Sequence, residues 1–203
     1  MILLQNPDLP TATAAIEIDA AIISINSLLQ ANLTWLSNPY GRAYKNIDAS
    51  TGNTLFFPEV YLGKQNNSQR YINVMPDNDK RAQCFFYVTK ENILNFESGQ
   101  YGFLSYDVAI IFTANMYLVK RTLLETEIFQ QTLVAQVRDV ITRKALAVSY
   151  KITLNSVDYL FENVFAEFNI PKPEQLEKAP FTHFRMNCNI ILPEQCPSPE
   201  LPS

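Results

Sequence analysis

Few residues in this 203-residue chain are of types that do chemistry, and their spacing narrows what they could do. His183 is the one histidine, so a site with several histidine ligands is excluded, and any Ser-His-Asp or Cys-His site must use it. It stands beside Arg185 in an alternating segment. A packed surface or interface histidine is the plain reading there, and general acid–base catalysis the sharper one. Cys84, Cys188 and Cys196 are odd in number. Cys84 lies among Phe85, Phe86 and Tyr87, and Cys188 lies in an apolar alternation. They read as two buried thiols and one tail thiol in a reducing compartment, with a Cys188–Cys196 disulfide left open. Asp77-Asn78-Asp79 has the opening ligands of a calcium loop, but Ala82 stands where the loop needs glycine and Val88 where it needs glutamate. It reads as a polar turn. Glu125 with Glu127, and Glu162 with Glu167, lack the two-by-two arrangement of a buried carboxylate site and read as solvated helix faces. Neither a G-x-S-x-G elbow nor a C-x-x-C pair occurs, and five glycines cannot build a glycine-rich phosphate loop. The sequence therefore marks no catalytic, cofactor-binding or metal-ligating residue, and the chain is read as a non-enzyme, with a small enzyme using His183 as the last alternative.

Charge is scarce. Sixteen Lys and Arg stand against 20 Asp and Glu, a formal net charge of -4, and charged residues make up 18% of the chain. Soluble domains typically carry roughly 25%. With 47% hydrophobic residues the chain has an ordinary core, so the shortage falls on the surface. Mild acidity disfavours sequence-independent binding to nucleic acid, which needs clustered cations. The main basic cluster, Arg138, Arg143 and Lys144, falls at an expected helix end, where cations favour the dipole. The apolar run around Val108–Phe112 is far too short to span a bilayer, and Met1–Pro7 lacks the charged and apolar regions of a secretory signal. Aromatics concentrate between Phe56 and Phe112. Sheet packing accounts for most of them, and some tyrosines are expected to face partners.

The elements that must position these residues follow from periodicity. Residues 1–12 hold Pro7 and Pro10 and read as an extended arm. Ile18, Ile22, Ile25, Leu29, Leu33 and Leu36 form one stripe, which predicts a long helix over Thr13–Ser37, about 37 Å at the helical rise. Asn38-Pro39-Tyr40-Gly41 reads as its stop, followed by a polar, turn-rich stretch over 42–53. Strands are expected at Thr54–Leu62, Tyr71–Met75, Gln83–Val88 and Leu104–Leu118. Pro58 restricts the first to an edge or bulge, and the last is apolar on both faces and therefore central. Gly63–Arg70 and Asn92–Gly102 read as polar loops. Thr122-Leu123-Leu124-Glu125 is a capping box opening a helix to about Ala145. A short strand, Ser149–Leu154, precedes Asn155, an expected cap for a third helix over Ser156–Phe168. That helix rests on the stripe Val157, Leu160, Phe161, Val164, Phe165 and Phe168. The final strand, Phe181–Leu192, alternates Thr182, Phe184, Met186, Cys188, Ile190 and Leu192 against a mainly polar face. Pro193–Ser203 reads as a proline-rich mobile tail. The expectation is one α+β domain over 13–192: a mostly antiparallel sheet, with a long N-terminal helix and two further helices packed on one face.

This layout resembles the small neck and tail-terminator proteins of tailed bacteriophages and related injection machines. The resemblance is carried by the opening helix and its Asn38–Gly41 stop, the sheet with polar loops at Gly63–Arg70 and Asn92–Gly102, and the late helix Ser156–Phe168 followed by the last strand Phe181–Leu192 and its proline-rich end. Phe57-Pro58-Glu59-Val60-Tyr61 and Met75-Pro76-Asp77-Asn78 are similar to segments of prophage-encoded proteins of Bacteroidetes. The resemblance implies a structural virion protein, assembled in the bacterial host cytoplasm, that forms a hexameric homo-oligomeric ring at the head–tail junction. Its partners would be tail-tube and neck or connector proteins, with DNA passing through a lumen without specific binding. It implies no cofactor, no metal and no membrane. Tail-tube, baseplate or head-completion proteins are the alternative within the same setting.

Overall fold

The computed structural model describes residues 17–48, 55–65, 68–77, 79–94, 103–120, 126–144, 150–170 and 176–192. Helix α1 spans Glu17–Asn32. Strands β1 (Asn38–Asp48), β2 (Leu55–Gln65), β3 (Ser68–Asn73), β4 (Ala82–Leu94) and β5 (Phe103–Asn115) follow. Then come α2 (Met116–Lys120), α3 (Thr126–Asp139) running into a π-helical turn at Val140–Lys144, β6 (Lys151–Asp158), α4 (Phe161–Val164) and β7 (Phe181–Leu192). The seven strands form one sheet in the order β3-β2-β1-β4-β5-β7-β6, and every neighbouring pair except β1–β4 is antiparallel. The fold is α+β, as the periodicities predict.

Strand β5 is central and buried on both faces. Val108, Ile110 and Phe112 join a first core with Ile18, Ile22, Ile25 and Leu29 of α1 and Leu133 and Val137 of α3. Phe112 stacks on Phe184 of β7, ring centroids 4.7 Å apart, and Trp35 tilts onto Phe112 while donating through Nε1 to Gln136 Oε1 at 2.8 Å. Ala109 and Ile111 join a second core on the opposite face, with Phe85, Phe161, Val164, Phe165 and Phe168. Strand β7 matches the expected span and alternation: all six residues from Thr182 to Leu192 on its apolar face are buried.

Five local expectations are corrected. Gly63–Arg70, expected as a polar loop, is largely hairpin strand, with β2 running to Gln65 and β3 starting at Ser68. The opening helix is 16 residues, shorter than the expected Thr13–Ser37. It ends at Asn32, and Leu33, Trp35 and Leu36 stay buried in the connection that follows. Asn38–Gly41 is the start of β1, and the strand runs on to Asp48, through the first part of the expected turn-rich stretch over 42–53; residues 49–53 lie outside the described residues. Tertiary bonds hold that segment extended. The Asn26 amide of α1 donates to Pro39 O and Tyr40 O, both at 3.2 Å, and Ser37 N–H bonds Ala82 O at 3.2 Å beside β4. Pro58 lies in β2, an inner strand. It is tolerated beyond the end of the β3 pairing, where its carbonyl accepts from Val74 N–H at 3.0 Å. The third helix is reduced to one turn. Residues 151–158 complete β6, with a bulge between Leu154 and Ser156 at Asn155, the expected cap. The helical stripe is thereby divided. Val157 packs on the first core, Leu160 is 62% exposed, and Phe161, Val164, Phe165 and Phe168 cover the second face. The further helices thus sit on both faces rather than one. The capping box, the 1–12 arm and the 193–203 tail lie outside the described residues.

Asn26 is the joint between α1 and the sheet, because it also accepts from the Cys84 thiol at 3.8 Å. Asn26→Ala leaves two carbonyls of β1 buried without donors, each costing about 1–3 kcal/mol. Urea denaturation of the variant is expected to show a loss of stability in that range or above, with the slope unchanged.

Candidate interaction surface

Strand β1 shares its bonds between two partners. Asn38–Arg42 pair parallel with β4, whereas Ala43–Asp48 pair antiparallel with β2. The second half of β1, with β2 and β3, therefore forms a three-stranded wing extending from the main sheet. It is tied down at its base by Val60 and Val74 in the second core and, opposite Ile47 near its outer end, by Asn169 N–H to Phe56 O at 2.9 Å. Its outer part is less covered. Tyr44 is 48%, Ile47 61% and Tyr71 46% exposed. The Tyr61 and Tyr71 rings tilt together at 5.1 Å, Arg42 lies over Tyr44 and Lys45 over Phe56 at 4.1 Å. By the strand register Tyr44, Tyr61 and Tyr71 share one face of the wing, and Ile47 lies on the other with Val60. Tyr44 and Ile47 escaped the sequence reading because they fall in the stretch taken as turns; their place in an aromatic and β-branched run was the available signal.

The second face of the sheet is only partly covered by α4 and the turn after it. Next to that cover lies a polar network. Arg185, buried on β7, donates bidentately to Glu167 at 2.6 and 2.7 Å, and to Asn187 Oδ1 at 2.7 Å. Asn187 donates to Ser156 Oγ and Asp158 Oδ2, and Asn189 to Ser105 Oγ and Asp107 Oδ1. Amides, hydroxyls and the carboxylates of Asp107 and Asp158, bonded to one another across three strands, make a firm polar surface. Glu167 is therefore no solvated helix carboxylate, as its spacing suggested. It is the counter-ion of a buried guanidinium, brought to it by the collapse of 165–168 onto the sheet. Tyr87 packs at the same place, its phenol pKa raised by burial and by the Glu167 charge.

His183 lies between Phe161, edge-on at 5.1 Å, and Phe165 at 6.2 Å. Burial lowers its pKa to about 4. Cys84 and Cys188 are buried free thiols, as read from the sequence. Burial raises both, Cys188 to about 12. Cys196 lies outside the described residues. Asp77 caps its own turn, accepting from Asp79 N–H at 2.9 Å and pairing with Lys80 at 3.4 Å. Glu162 is exposed, and Arg143 pairs with Asp139 along the helix at 2.8 Å. Among the described residues no three metal-binding side chains come together, and no helix is long and apolar enough to cross a membrane. An open depression of about 410 Å³ between α1 and α3, lined by Leu33, Ala135, Gln136 and Asp139, holds one carboxylate and no base beside it.

No family model matches this chain, and no curated protein does.

Two measurements check this description. Glu167→Ala leaves Arg185 buried without its counter-ion and is expected to cost about 3–5 kcal/mol in chemical denaturation, with Glu167→Gln losing less. His183 takes up its proton at about pH 6.5 unfolded but only near pH 4 folded. Its contribution is complete above pH 6.5 and is lost as pH falls through 4, by about 3 kcal/mol. In thermal melts between pH 7 and 4, His183→Gln is expected to lose less stability on acidification than the native chain.

Proposed function

We propose that this protein is a structural virion component. It forms a hexameric ring at the head–tail junction of a tailed bacteriophage or related injection machine and caps the tail tube as a terminator or neck protein. The observation that carries this reading is the β1–β2–β3 wing, with Tyr44 and Tyr71 exposed on one face and Ile47 on the other. A cyclic ring joins copies head to tail, so each subunit needs one projecting surface and a different receiving one. The wing supplies the projection, and the polar network on the second face of the sheet suits a receiving surface. Its amides and hydroxyls offer donors and acceptors to a neighbour, and the carboxylates of Asp107 and Asp158 are already bonded by Asn189 and Asn187. The net charge of -4 suits a lumen that DNA slides through without adhering. Tail-tube and neck proteins are the expected axial partners, and the assembled virion is the expected location.

Electron microscopy of the purified chain, alone and with tail-tube protein, is the direct test, with six-fold rings expected. Replacing Tyr44 with Ser and Ile47 with Asp together changes only exposed positions. Thermal stability is expected to stay within about 0.5 kcal/mol of the native chain while rings are lost. A chain that remains monomeric and never joins tail tubes would refute the reading.

A further inference from the structure

Strand β6 closes one end of the sheet. It bonds β7 on one side, and among the described residues nothing pairs with its other edge. The bulge at Asn155 sets which way its side chains face. Leu154 stands opposite Cys188, but Ser156 stands opposite Asn187, so Asn155 is an extra residue in the ladder. Ile152, Leu154 and Val157 then pack toward the first core, and Lys151, Thr153, Ser156 and Asp158 share the other face.

With the bulge counted out, this order is self-complementary about Leu154. A second copy turned about a two-fold axis through Leu154 sets Lys151 against Asp158, Ile152 against Val157, and Thr153 against Ser156. Leu154 meets its own copy. Each pair lies on the same face in both strands, as antiparallel pairing requires. The charged pair is of opposite sign and occurs twice by symmetry. Asp158 is already steadied by Asn187 at 2.7 Å. Tyr159 and Leu160, exposed immediately beyond Asp158, would reach past the end of the facing strand and gain cover there. Without the bulge, residues 151 and 158 would fall on opposite faces and the charges could not meet. The opposite edge strand, β3, carries Arg70 as its sole charged residue, which could meet Asp158 but leaves Lys151 without an opposite charge.

We propose that β6 is a homodimerisation edge, through which two copies of this chain join their seven-stranded sheets into one about a two-fold axis at Leu154. The contact is independent of the ring reading, because a two-fold contact pairs chains and does not by itself close a ring.

Sedimentation equilibrium and cysteine cross-linking test it on the full chain. The native protein is expected at twice the mass of a Lys151→Glu variant, whose like charges meet Asp158 twice and raise the dissociation constant about tenfold. Exchanging the two charges, Lys151→Asp with Asp158→Lys, is expected to restore pairing. For register, Thr153→Cys and Ser156→Cys are made separately with Cys196→Ser; Cys84 and Cys188 are buried. Oxidation of the two variants mixed is expected to give a covalent dimer, and either alone none. Equal mass for native and Lys151→Glu chains, cross-linking of either variant alone as readily as the mixture, or an open series of head-to-tail species would each overturn the proposal. Rings that survive the loss of this dimer would leave the ring reading standing, and dimers that never form rings would do the reverse.

Discussion

Strand β5 is apolar on both faces from Val108 to Phe112, so the sheet has to be covered twice. The rest of the structure depends on that requirement. One face takes α1 and α3, whose stripes of Ile, Leu and Val are long enough to seal it. The other has only α4 and the few residues after it. Phe161, Val164, Phe165 and Phe168 supply large side chains from a short segment, and Phe168 meets Phe85 and Tyr87 edge-on. A cover this small leaves part of the second face to solvent. There the strands change from apolar to Asn, Ser, Thr and Asp.

That transition explains how the chain carries so little charge. A solvent-facing sheet is commonly finished with Lys and Glu. Here side-chain amides and hydroxyls bond each other across β5, β7 and β6, and the buried Arg185 is neutralised by Glu167. A buried ion pair is weak as a source of net stability, but removing one member is costly. The pair therefore acts as a lock on placement: the segment after α4 has one position in which Glu167 reaches the guanidinium. His183, between two of the rings on that segment, stays neutral for the same reason that the cover holds, since water is kept from both.

The exposed features lie where the two cores end. At one side the sheet continues past the second core as the wing, because β1 transfers its bonding from β4 to β2 midway. At the other it stops at β6, an edge whose bulge keeps apolar side chains on the first core while its hydroxyls and end charges face the other way. Edge strands are hazards unless blunted or used. The bulge, the mixed charges and the short length limit what can pair with β6, and the same features give it a specific complement in its own copy.

Where structure is local, the residues alone determined it. The first part of the α1 stripe, from Ile18 to Leu29, the doubly apolar centre of β5 and the alternation of β7 each rest on a period read within one segment, and each lies where its pattern puts it. The buried thiols of Cys84 and Cys188 and the Asp77 turn were legible for the same reason. Elsewhere the local pattern was ambiguous or misleading. Asn38-Pro39-Tyr40-Gly41 has turn chemistry, and only Asn26 and Ala82, brought from other elements, hold it as a strand. The helical period over 157–168 is real as a spacing, but the pairing of β6 with β7 claims its first residues and a bulge shifts the rest. The Arg185–Glu167 pair, the faces of the wing's tyrosines and the bulge that sets the two-fold pattern of β6 were not decided within their own segments. They arise from residues 18 or more positions apart, or from which side of the sheet a strand faces, and only the completed sheet decides that.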